Sequence, residues 1–221
     1  MQRASLRFDA VARSHGHSGW IMTPSIEFYF EFASPYGYLA STRIDDLAAR
    51  HDREVSWRPI MLGAAFKETG ARPLVHTPLK GPYLRHDVPR FARLLGVPFT
   101  EPPVMPANSL AASRACVWLE SDDPALAKRL AKAVFHAHWG EGRDIGTVEQ
   151  VADIAGPLGI ERAALLAAVA DHAIKERLKE ATAAAIRRGV FGSPFVFVDG
   201  EAFWGADRLD QVEAWLARGG W

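Results

Sequence analysis

Aromatic and branched side chains alternate with acids over residues 26–32, and this alternation ends abruptly at Ala-Ser-Pro. A period of two in such residues predicts a β-strand. Ser34 then stands where a helix N-cap belongs, and Pro35 suits the first helical turn, where its missing N–H is not needed. Apolar residues follow at helical spacing, which predicts a helix to about His51. A second strand over 54–59 would complete a β-α-β unit with parallel strands.

The middle of the chain, from about residue 63 to residue 189, has almost no alternation and is rich in alanine. Amphipathic stretches of this kind predict a helical lobe. The candidate helices cover 82–95, 109–120, 124–139, 147–155 and 161–188. We expect the last of these to break near Asp171, and we interpret the segment 68–80, which carries two prolines, as a loop.

Strand patterns return after residue 190. Two short apolar runs, 195–198 and 201–204, flank the turn Asp199-Gly200, which is a strong hairpin signal. A last helix follows, with Asp207 as its expected N-cap. This order of elements predicts an α/β protein with a thioredoxin-like fold and a large α-helical insertion.

The same order suggests a division of the chain into domains. We assign 25–62 and 190–221 to the thioredoxin-like domain and 63–189 to an inserted helical domain. Residues 1–24 mix basic, small and polar residues without an apolar face, and we expect a flexible N-terminal tail.

Composition narrows the possible functions. The 221 residues are 48% hydrophobic, and 26 basic side chains balance 26 acidic ones. A zero net charge argues against nucleic acid and favours a small neutral or anionic substrate. Cys116 is the single cysteine, which excludes a disulfide framework and indicates a reducing compartment. We expect it to be buried and inert. Without a long apolar run or a secretory signal, we expect a cytoplasmic protein that does not bind membranes.

Ser34 is the sharpest candidate for chemistry. The start of a helix offers free N–H groups and a partial positive charge, which favour a nearby thiolate, and a serine hydroxyl can donate to a sulfur anion. Ser34 can equally be a plain helix cap, and the two roles are compatible. A Ser-His-Asp hydrolase is disfavoured because the chain has no Gly-x-Ser-x-Gly elbow and no designated histidine base.

Two further features lie near the C-terminus. Ser193-Pro194 precedes a strand, where a cis X-Pro bond would leave the N–H and C=O of Ser193 free to pair with an extended peptide. The alternative is an ordinary trans proline at the entry to an edge strand. Asp207, after Trp204-Gly205-Ala206, can bind the ammonium group of a ligand or simply cap its helix.

No metal site is expected. His136 and His138 are two residues apart, which places the imidazoles on different faces of a helix. The chain also has no phosphate loop, dinucleotide fingerprint or zinc spacing.

Five segments together resemble the 2-hydroxychromene-2-carboxylate isomerases, relatives of the kappa-class glutathione transferases within the DsbA-like thioredoxin group. The similarity extends from about Ile26 to the C-terminus. The segments, in family order, are FYFEFASPYGYLA, TGARPLVHTPLKGPYLRHDVPRFARLLGVPF, PANSLAASRA, HWGEGRDI and GVFGSPFVFVDGEAFWGADRL.

This resemblance implies a glutathione site. It implies that Ser34 meets the glutathione thiol, that Ser193 before Pro194 pairs its backbone with the tripeptide, and that Lys80 belongs to the same site. The residues implied at the γ-glutamyl end are Trp204, Gly205, Ala206 and Asp207. Many relatives carry asparagine where this chain has Ala71, which puts the strength of glutathione binding in question.

The residues that we expect on the substrate side are Tyr36, Lys67, Asn108 and Arg114. The implied reaction is reversible thiol addition. Glutathione thiolate adds to 2-hydroxychromene-2-carboxylate, the ring opens, a bond rotates, and elimination yields trans-o-hydroxybenzylidenepyruvate. The resemblance also suggests a homodimer.

Two alternatives stay open: a kappa-like transferase that acts on other electrophiles, and a noncatalytic binding module. A disulfide catalyst is dismissed, because Ser34-Pro35-Tyr36-Gly37 has no sulfur.

Overall fold

The computed structural model describes residues 25–221, so the tail expected over 1–24 lies outside the described residues. Its sheet has four strands in the order β2-β1-β3-β4. The strands are β1 (Ile26–Phe30), β2 (Val55–Pro59), β3 (Phe195–Val198) and β4 (Glu201–Trp204). β1 is parallel to β2 and antiparallel to β3, and β3 and β4 form a hairpin. The predicted β-α-β unit, hairpin and thioredoxin-like fold are confirmed.

Ten α-helices surround this sheet within residues 25–221. They are α1 (Pro35–Ser41), α2 (Ile44–Ala49), α3 (Leu62–Thr69), α4 (Lys80–Leu95), α5 (Leu110–Glu120), α6 (Pro124–Phe135), α7 (Val148–Ala155), α8 (Arg162–Ala170), α9 (His172–Arg187) and α10 (Leu209–Arg218). Helix α6 continues into one π-helical turn, His136–Gly140. None of the helices described is long and apolar enough to cross a membrane.

The single helix predicted from Ser34 to about His51 is wrong, because the structure divides it into α1 and α2. The Ser41 hydroxyl donates to the Tyr38 carbonyl at 2.7 Å, and the Thr42 hydroxyl donates to the Leu39 carbonyl at 2.8 Å. Consecutive hydroxyl side chains therefore bind carbonyls of the last turn of α1, and such bonds compete with continued helix.

The loop predicted over 68–80 is also partly wrong. Helix α3 extends to Thr69, and a 3₁₀ turn covers Leu74–His76. The start of α3 is held from a distance, because the Leu62 N–H donates to the carboxylate of Glu31 at 3.1 Å. A contact between residues so far apart in sequence leaves no signal in local periodicity.

Two predicted boundaries depend on aspartates, with different outcomes. Asp171 separates α8 from α9 as predicted, and its carboxylate accepts the N–H groups of Ala173 and Ile174. Asp207 is not the N-cap of the last helix, because it lies within a 3₁₀ turn, Ala206–Arg208, that precedes α10. The turn begins at Gly205, whose φ of +118° suits glycine, so the chain curls before the α-helix starts.

One hydrophobic core joins the sheet to the helices. Phe28 stacks on Phe30, and Phe30 and Phe32 pack with Phe135 of α6. Each of these rings is fully buried and contributes about 2 kcal/mol to stability. Trp139 in the π-helical turn is also buried, and its indole N–H donates to the Phe32 carbonyl at 2.8 Å. The C-terminal end of β1, where the chain turns toward Ser34, is therefore fixed from the helical side.

Candidate active site

Ser34 caps helix α1, and its hydroxyl makes two hydrogen bonds. The Oγ atom accepts the N–H of Gly37 at 3.1 Å and donates to the carbonyl of Ser193 at 2.8 Å. The residue is only 9% exposed. The capping role expected from the sequence is confirmed.

Ser193 lies directly against Ser34, and its bond to Pro194 is cis. The expectation that both backbone groups of Ser193 are free is half wrong, because its carbonyl accepts the Ser34 hydroxyl. Its N–H makes no hydrogen bond to any of residues 25–221. The Ser193 hydroxyl accepts the N–H of Glu31 at 2.9 Å. One backbone donor therefore stays available beside Ser34.

Glu31 is a buried acid that the sequence analysis did not single out. It is 5% exposed, and its carboxylate accepts the Ser109 hydroxyl and the N–H of Leu62. Burial raises the pKa of the Glu31 carboxyl above its ordinary value, while these bonds and the N–H groups of Ala33 and Phe32 oppose the rise. Its own carbonyl accepts the Ser34 N–H at 3.0 Å.

The segment 204–207 lies beside the Ser193-Pro194 bond. The N–H of Gly205 donates to the Pro194 carbonyl at 3.1 Å. The Trp204 ring contacts Phe191 edge to face and leaves no room for a Cβ on Gly192. Ala206 is buried, whereas Asp207 is exposed and paired with Arg208 at 3.0 Å. The structure thus brings together all the residues expected at the γ-glutamyl end.

Tyr36 lies between this segment and the helical lobe. Its hydroxyl donates to Asp87 of α4 at 2.8 Å. Burial raises the pKa of the Tyr36 hydroxyl well above its ordinary range, and the charges of Asp87 and Asp207 add to the rise. Because both Asp87 and Asp207 raise its pKa, the Tyr36 side chain lies near the segment 204–207 as well as near α4.

Lys80 is the first residue of α4, and Lys67 is in the last turn of α3. Both are exposed, and neither side chain forms an ion pair or hydrogen bond with another of residues 25–221. Tyr36 reaches Asp87 in the middle of α4, and Tyr38, later in α1, reaches the carbonyl of Pro98 beyond its end. Lys80 precedes Asp87 by about 10 Å of helix, at the N-terminal end of α4.

Asn108 and Arg114 already have partners elsewhere. The Asn108 amide donates to the Gly146 carbonyl at 3.3 Å and accepts the N–H of Leu110 at 3.2 Å. The Arg114 guanidinium donates to the Val169 carbonyl at 3.5 Å. Neither makes a hydrogen bond to the turn at Ser34, so the structure gives these two substrate-side expectations no support.

The two histidines and the cysteine considered in the sequence analysis differ in their exposure. His138 is fully buried with its Nδ1 2.8 Å from the Arg143 carbonyl, and burial lowers its pKa, whereas His136 is exposed beside Glu141. The two imidazoles therefore face different environments, as their spacing predicts. Cys116 is buried, and burial raises the pKa of its thiol, which keeps it protonated and inert as expected.

Comparison with known proteins places this geometry in a family. Residues 25–217 match the model of the DSBA-like thioredoxin domain. The 2-hydroxychromene-2-carboxylate isomerase of Sphingobium xenophagum is 32% identical over 201 residues, which are 88% of this chain and 99% of that protein. Glutathione S-transferase kappa 2 of Caenorhabditis elegans is 27% identical over 205 residues, 87% of this chain and 91% of that protein.

A solved structure of a 2-hydroxychromene-2-carboxylate isomerase superposes with a TM-score of 0.81 at 32% identity. The match covers 88% of this chain and 95% of that one. The sequence match and the structural match each cover 88% of this chain. This chain belongs to the DsbA-like thioredoxin family and, within it, to the 2-hydroxychromene-2-carboxylate isomerases.

Proposed function

We propose that this protein is a glutathione-dependent isomerase that interconverts 2-hydroxychromene-2-carboxylate and trans-o-hydroxybenzylidenepyruvate. The observation that carries the proposal is the Ser34 hydroxyl, which donates its proton to the Ser193 carbonyl and lies beside the N–H of Ser193, a donor without a partner among residues 25–221. A serine there can stabilise a thiolate, but it cannot form a mixed disulfide with one. The site therefore suits a thiol that adds and leaves again.

The chemistry needs no oxidant. The glutathione thiolate forms a carbon–sulfur bond to one alkene carbon, the double bond shifts to the carbon that bears the hydroxyl group, the ring carbon–oxygen bond breaks, and the phenolate so released takes a proton. After rotation about the former double bond, which is now single, the enol loses a proton, the double bond re-forms, the carbon–sulfur bond breaks, and the thiolate is regenerated. Such nucleophilic catalysis replaces one difficult step by two easier ones.

The chain's own residues have separate parts in this proposal. Ser34 would turn its hydroxyl proton from the Ser193 carbonyl to the sulfur while its Oγ still accepts the Gly37 N–H. The N–H of Ser193 would donate to a backbone carbonyl of the tripeptide, as an edge strand does. Asp207 would take the ammonium group beside Trp204, Gly205 and Ala206, and Lys80 would bind a glutathione carboxylate.

On the substrate side, Tyr36 and Lys67 are the groups that suit an aromatic carboxylate. Tyr36 supplies a ring fixed by Asp87, and Lys67 supplies a cation without a partner among residues 25–221. Ala71, where many relatives have asparagine, is exposed and has no polar side chain, so we expect glutathione binding to depend more on Lys80. Action in the cytoplasm and assembly as a homodimer belong to the same proposal.

A kappa-like transferase is the second candidate, because kappa-class enzymes also match over most of the chain. The two functions share the glutathione site and differ in the electrophile. A panel of chromene carboxylates and halogenated aromatic compounds, assayed with glutathione, separates them by whether the product retains the sulfur.

The test of the main proposal is Ser34→Ala. Loss of a donor to a developing charge predicts a fall in kcat of about 100-fold. Loss of the cap predicts about 1 kcal/mol lower stability, which leaves the protein folded. Calorimetric titration of glutathione, an absorbance assay of turnover and thermal unfolding measure these effects.

The matched control for this test is Ser41→Ala. Ser41 is a buried serine of the same helix, and among residues 25–221 its hydroxyl binds only the Tyr38 carbonyl, so the kcat of Ser41→Ala should stay near the wild-type value. Full turnover by Ser34→Ala, or no glutathione binding by the wild type, would show that the proposed function is wrong.

A further inference from the structure

We propose that Glu31 is a positioning residue that joins the glutathione side of the site to its substrate side. The inference rests on the proposed function, but its evidence is a set of contacts that the reaction scheme does not use. Glu31 is the residue where the turn at Ser34, the Ser193-Pro194 bond, helix α3 and helix α5 meet.

The backbone of Glu31 holds the glutathione side. Its N–H donates to the Ser193 hydroxyl at 2.9 Å, and its carbonyl accepts the Ser34 N–H at 3.0 Å. Ser34 and Ser193 are in turn joined by the bond of 2.8 Å between the Ser34 hydroxyl and the Ser193 carbonyl. These three bonds close a small cycle. Glu31 contributes only backbone atoms to this cycle, so we expect all three bonds to remain when the Glu31 side chain is changed.

The side chain of Glu31 holds the substrate side. One carboxylate oxygen accepts the N–H of Leu62, the first residue of α3, and the other accepts the hydroxyl of Ser109. Ser109 stands at the N-cap position of α5 but makes no side-chain capping bond there. The carboxylate therefore ties the starts of two helices to the turn. Helix α3 carries Lys67, the cation proposed for the substrate.

This carboxylate is surrounded by donors. The N–H of Leu62 and the Ser109 hydroxyl donate to it, the N–H groups of Phe32 and Ala33 help to lower its pKa, and no lysine, arginine or histidine of residues 25–221 forms an ion pair with it. Glutamine has one acceptor oxygen where the carboxylate has two, and its NH₂ group meets Ser109 only if that hydroxyl turns from donor to acceptor, so the substitution removes the charge and weakens the paired anchor. Glu27, earlier in the same strand, is the opposite case: it is paired with Arg188 at 2.7 Å near the surface.

The expected consequence concerns alignment. Without the carboxylate, α3 and α5 lose their common anchor, while Ser34 and Ser193 keep theirs. A reacting group displaced by about 1 Å costs about 100-fold in rate. We therefore expect Glu31→Gln to lower kcat/KM for the aromatic substrate by about 10-fold to 100-fold. We expect the Kd for glutathione to change by less than about twofold, since its contacts are not made by the Glu31 side chain.

The experiment compares Glu31→Gln with Glu27→Gln, which removes a carboxylate from the same strand. For each protein, calorimetry gives the Kd for glutathione, steady-state kinetics give kcat and KM, and thermal unfolding gives the folded fraction. A fall in kcat/KM at unchanged glutathione affinity, confined to Glu31→Gln, supports the proposal. Equal losses in both variants, no loss in Glu31→Gln, or a parallel loss of glutathione affinity would overturn it.

A second pair of variants keeps the proposal testable should Glu31→Gln unfold. Ser109→Ala removes one donor to the carboxylate, and Ser109→Thr keeps the hydroxyl. We expect Ser109→Ala to lower kcat/KM several-fold and Ser109→Thr to restore it; equal activity in the two would count against the proposal. Failure of the wild type to bind glutathione would instead contradict the proposed function, so the two failures are distinguishable.

Discussion

Two neighbouring regions of this molecule handle polar groups in opposite ways. The Ser34 turn, residues 31–37 with 193–194, is mostly buried, and nearly all its polar groups are bound to one another. The arm, residues 62–80, is mostly exposed and carries Lys67 and Lys80 without partners among residues 25–221. Under the proposed function, the rigid turn would place the reacting thiol, and the hydrated charges of the arm would attract anionic ligands.

The largest test of this contrast is Gly37→Ala in the Ser34 turn. A Cβ at Gly37 would lie 2.7 Å from the Ser193 hydroxyl oxygen and 3.2 Å from the Glu31 carbonyl oxygen. Ser193 would have to move and release the Glu31 N–H. We expect the free energy of unfolding to fall by about 2 to 3 kcal/mol, although alanine is usually more favourable than glycine in a helix. Urea unfolding measures the change.

The matched control is Gly63→Ala, in helix α3 of the arm. Within residues 25–221, and apart from its chain neighbours and the backbone of its own helix, no atom lies within 4 Å of a Cβ at Gly63. With free space and helical backbone, alanine should stabilise the protein by about 0.5 to 1 kcal/mol. Opposite signs at these two glycines would confirm that the turn is tightly packed and the arm is not. The same sign at both would contradict the contrast.

The next test concerns strain in the arm. Leu79 has φ of +64° and ψ of −42°, and the Lys80 N–H donates to the Pro78 carbonyl at 2.7 Å. This is a γ-turn of the rare kind, which is strained for a side chain with a Cβ. Leu79 is 88% exposed, so its side chain packs against little. Leu79→Gly should relieve this strain, and the entropy that glycine adds to the unfolded chain offsets part of the gain. We therefore expect a net increase of about 1 kcal/mol in the free energy of unfolding.

Leu94 provides the control for Leu79. It is 80% exposed, but it lies inside α4 with ordinary helical backbone. Leu94→Gly should destabilise the protein by about 1 kcal/mol. Thermal unfolding compares the stabilities of the two variants with that of the wild type. A loss of stability in Leu79→Gly would mean that the positive φ of Leu79 stores no strain.

The same two regions show how far the sequence could predict the structure. In the Ser34 turn, the N-cap serine, the proline after it and the Ser193-Pro194 pair are local signals. Ser34 does cap a helix that begins at Pro35, and Ser193 lies beside Ser34. The hairpin at Asp199-Gly200 and the break at Asp171 were predictable for the same reason. Helix α3 was missed because it depends on a bond from Glu31.

Glu31 itself shows why local rules fail at the centre of the site. In an alternating strand pattern, Glu27 and Glu31 both occupy positions typical of exposed residues. Glu27 is partly exposed and paired with Arg188, but β1 ends at Phe30, so Glu31 belongs to the turn and points inward. The donors that surround it come from residues 62 and 109, which no pattern within the strand indicates.

The smallest expected effect on stability, and the clearest on binding, comes from the lysines of the arm. Lys67→Ala and Lys80→Ala remove exposed side chains without partners among residues 25–221, so each should change stability by less than about 0.5 kcal/mol. Lys80→Ala should weaken glutathione binding about fivefold, the equivalent of about 1 kcal/mol for an ion pair near the surface.

Lys67→Ala should leave glutathione affinity unchanged and raise KM for the aromatic carboxylate. Lys179→Ala, an exposed lysine of α9 paired with Glu176, is the control that should affect neither. Calorimetry at low and high salt adds a check, because screening should weaken glutathione binding to the wild type more than to Lys80→Ala. Equal salt dependence in the two proteins would remove Lys80 from the glutathione site and leave its charge without an assigned ligand.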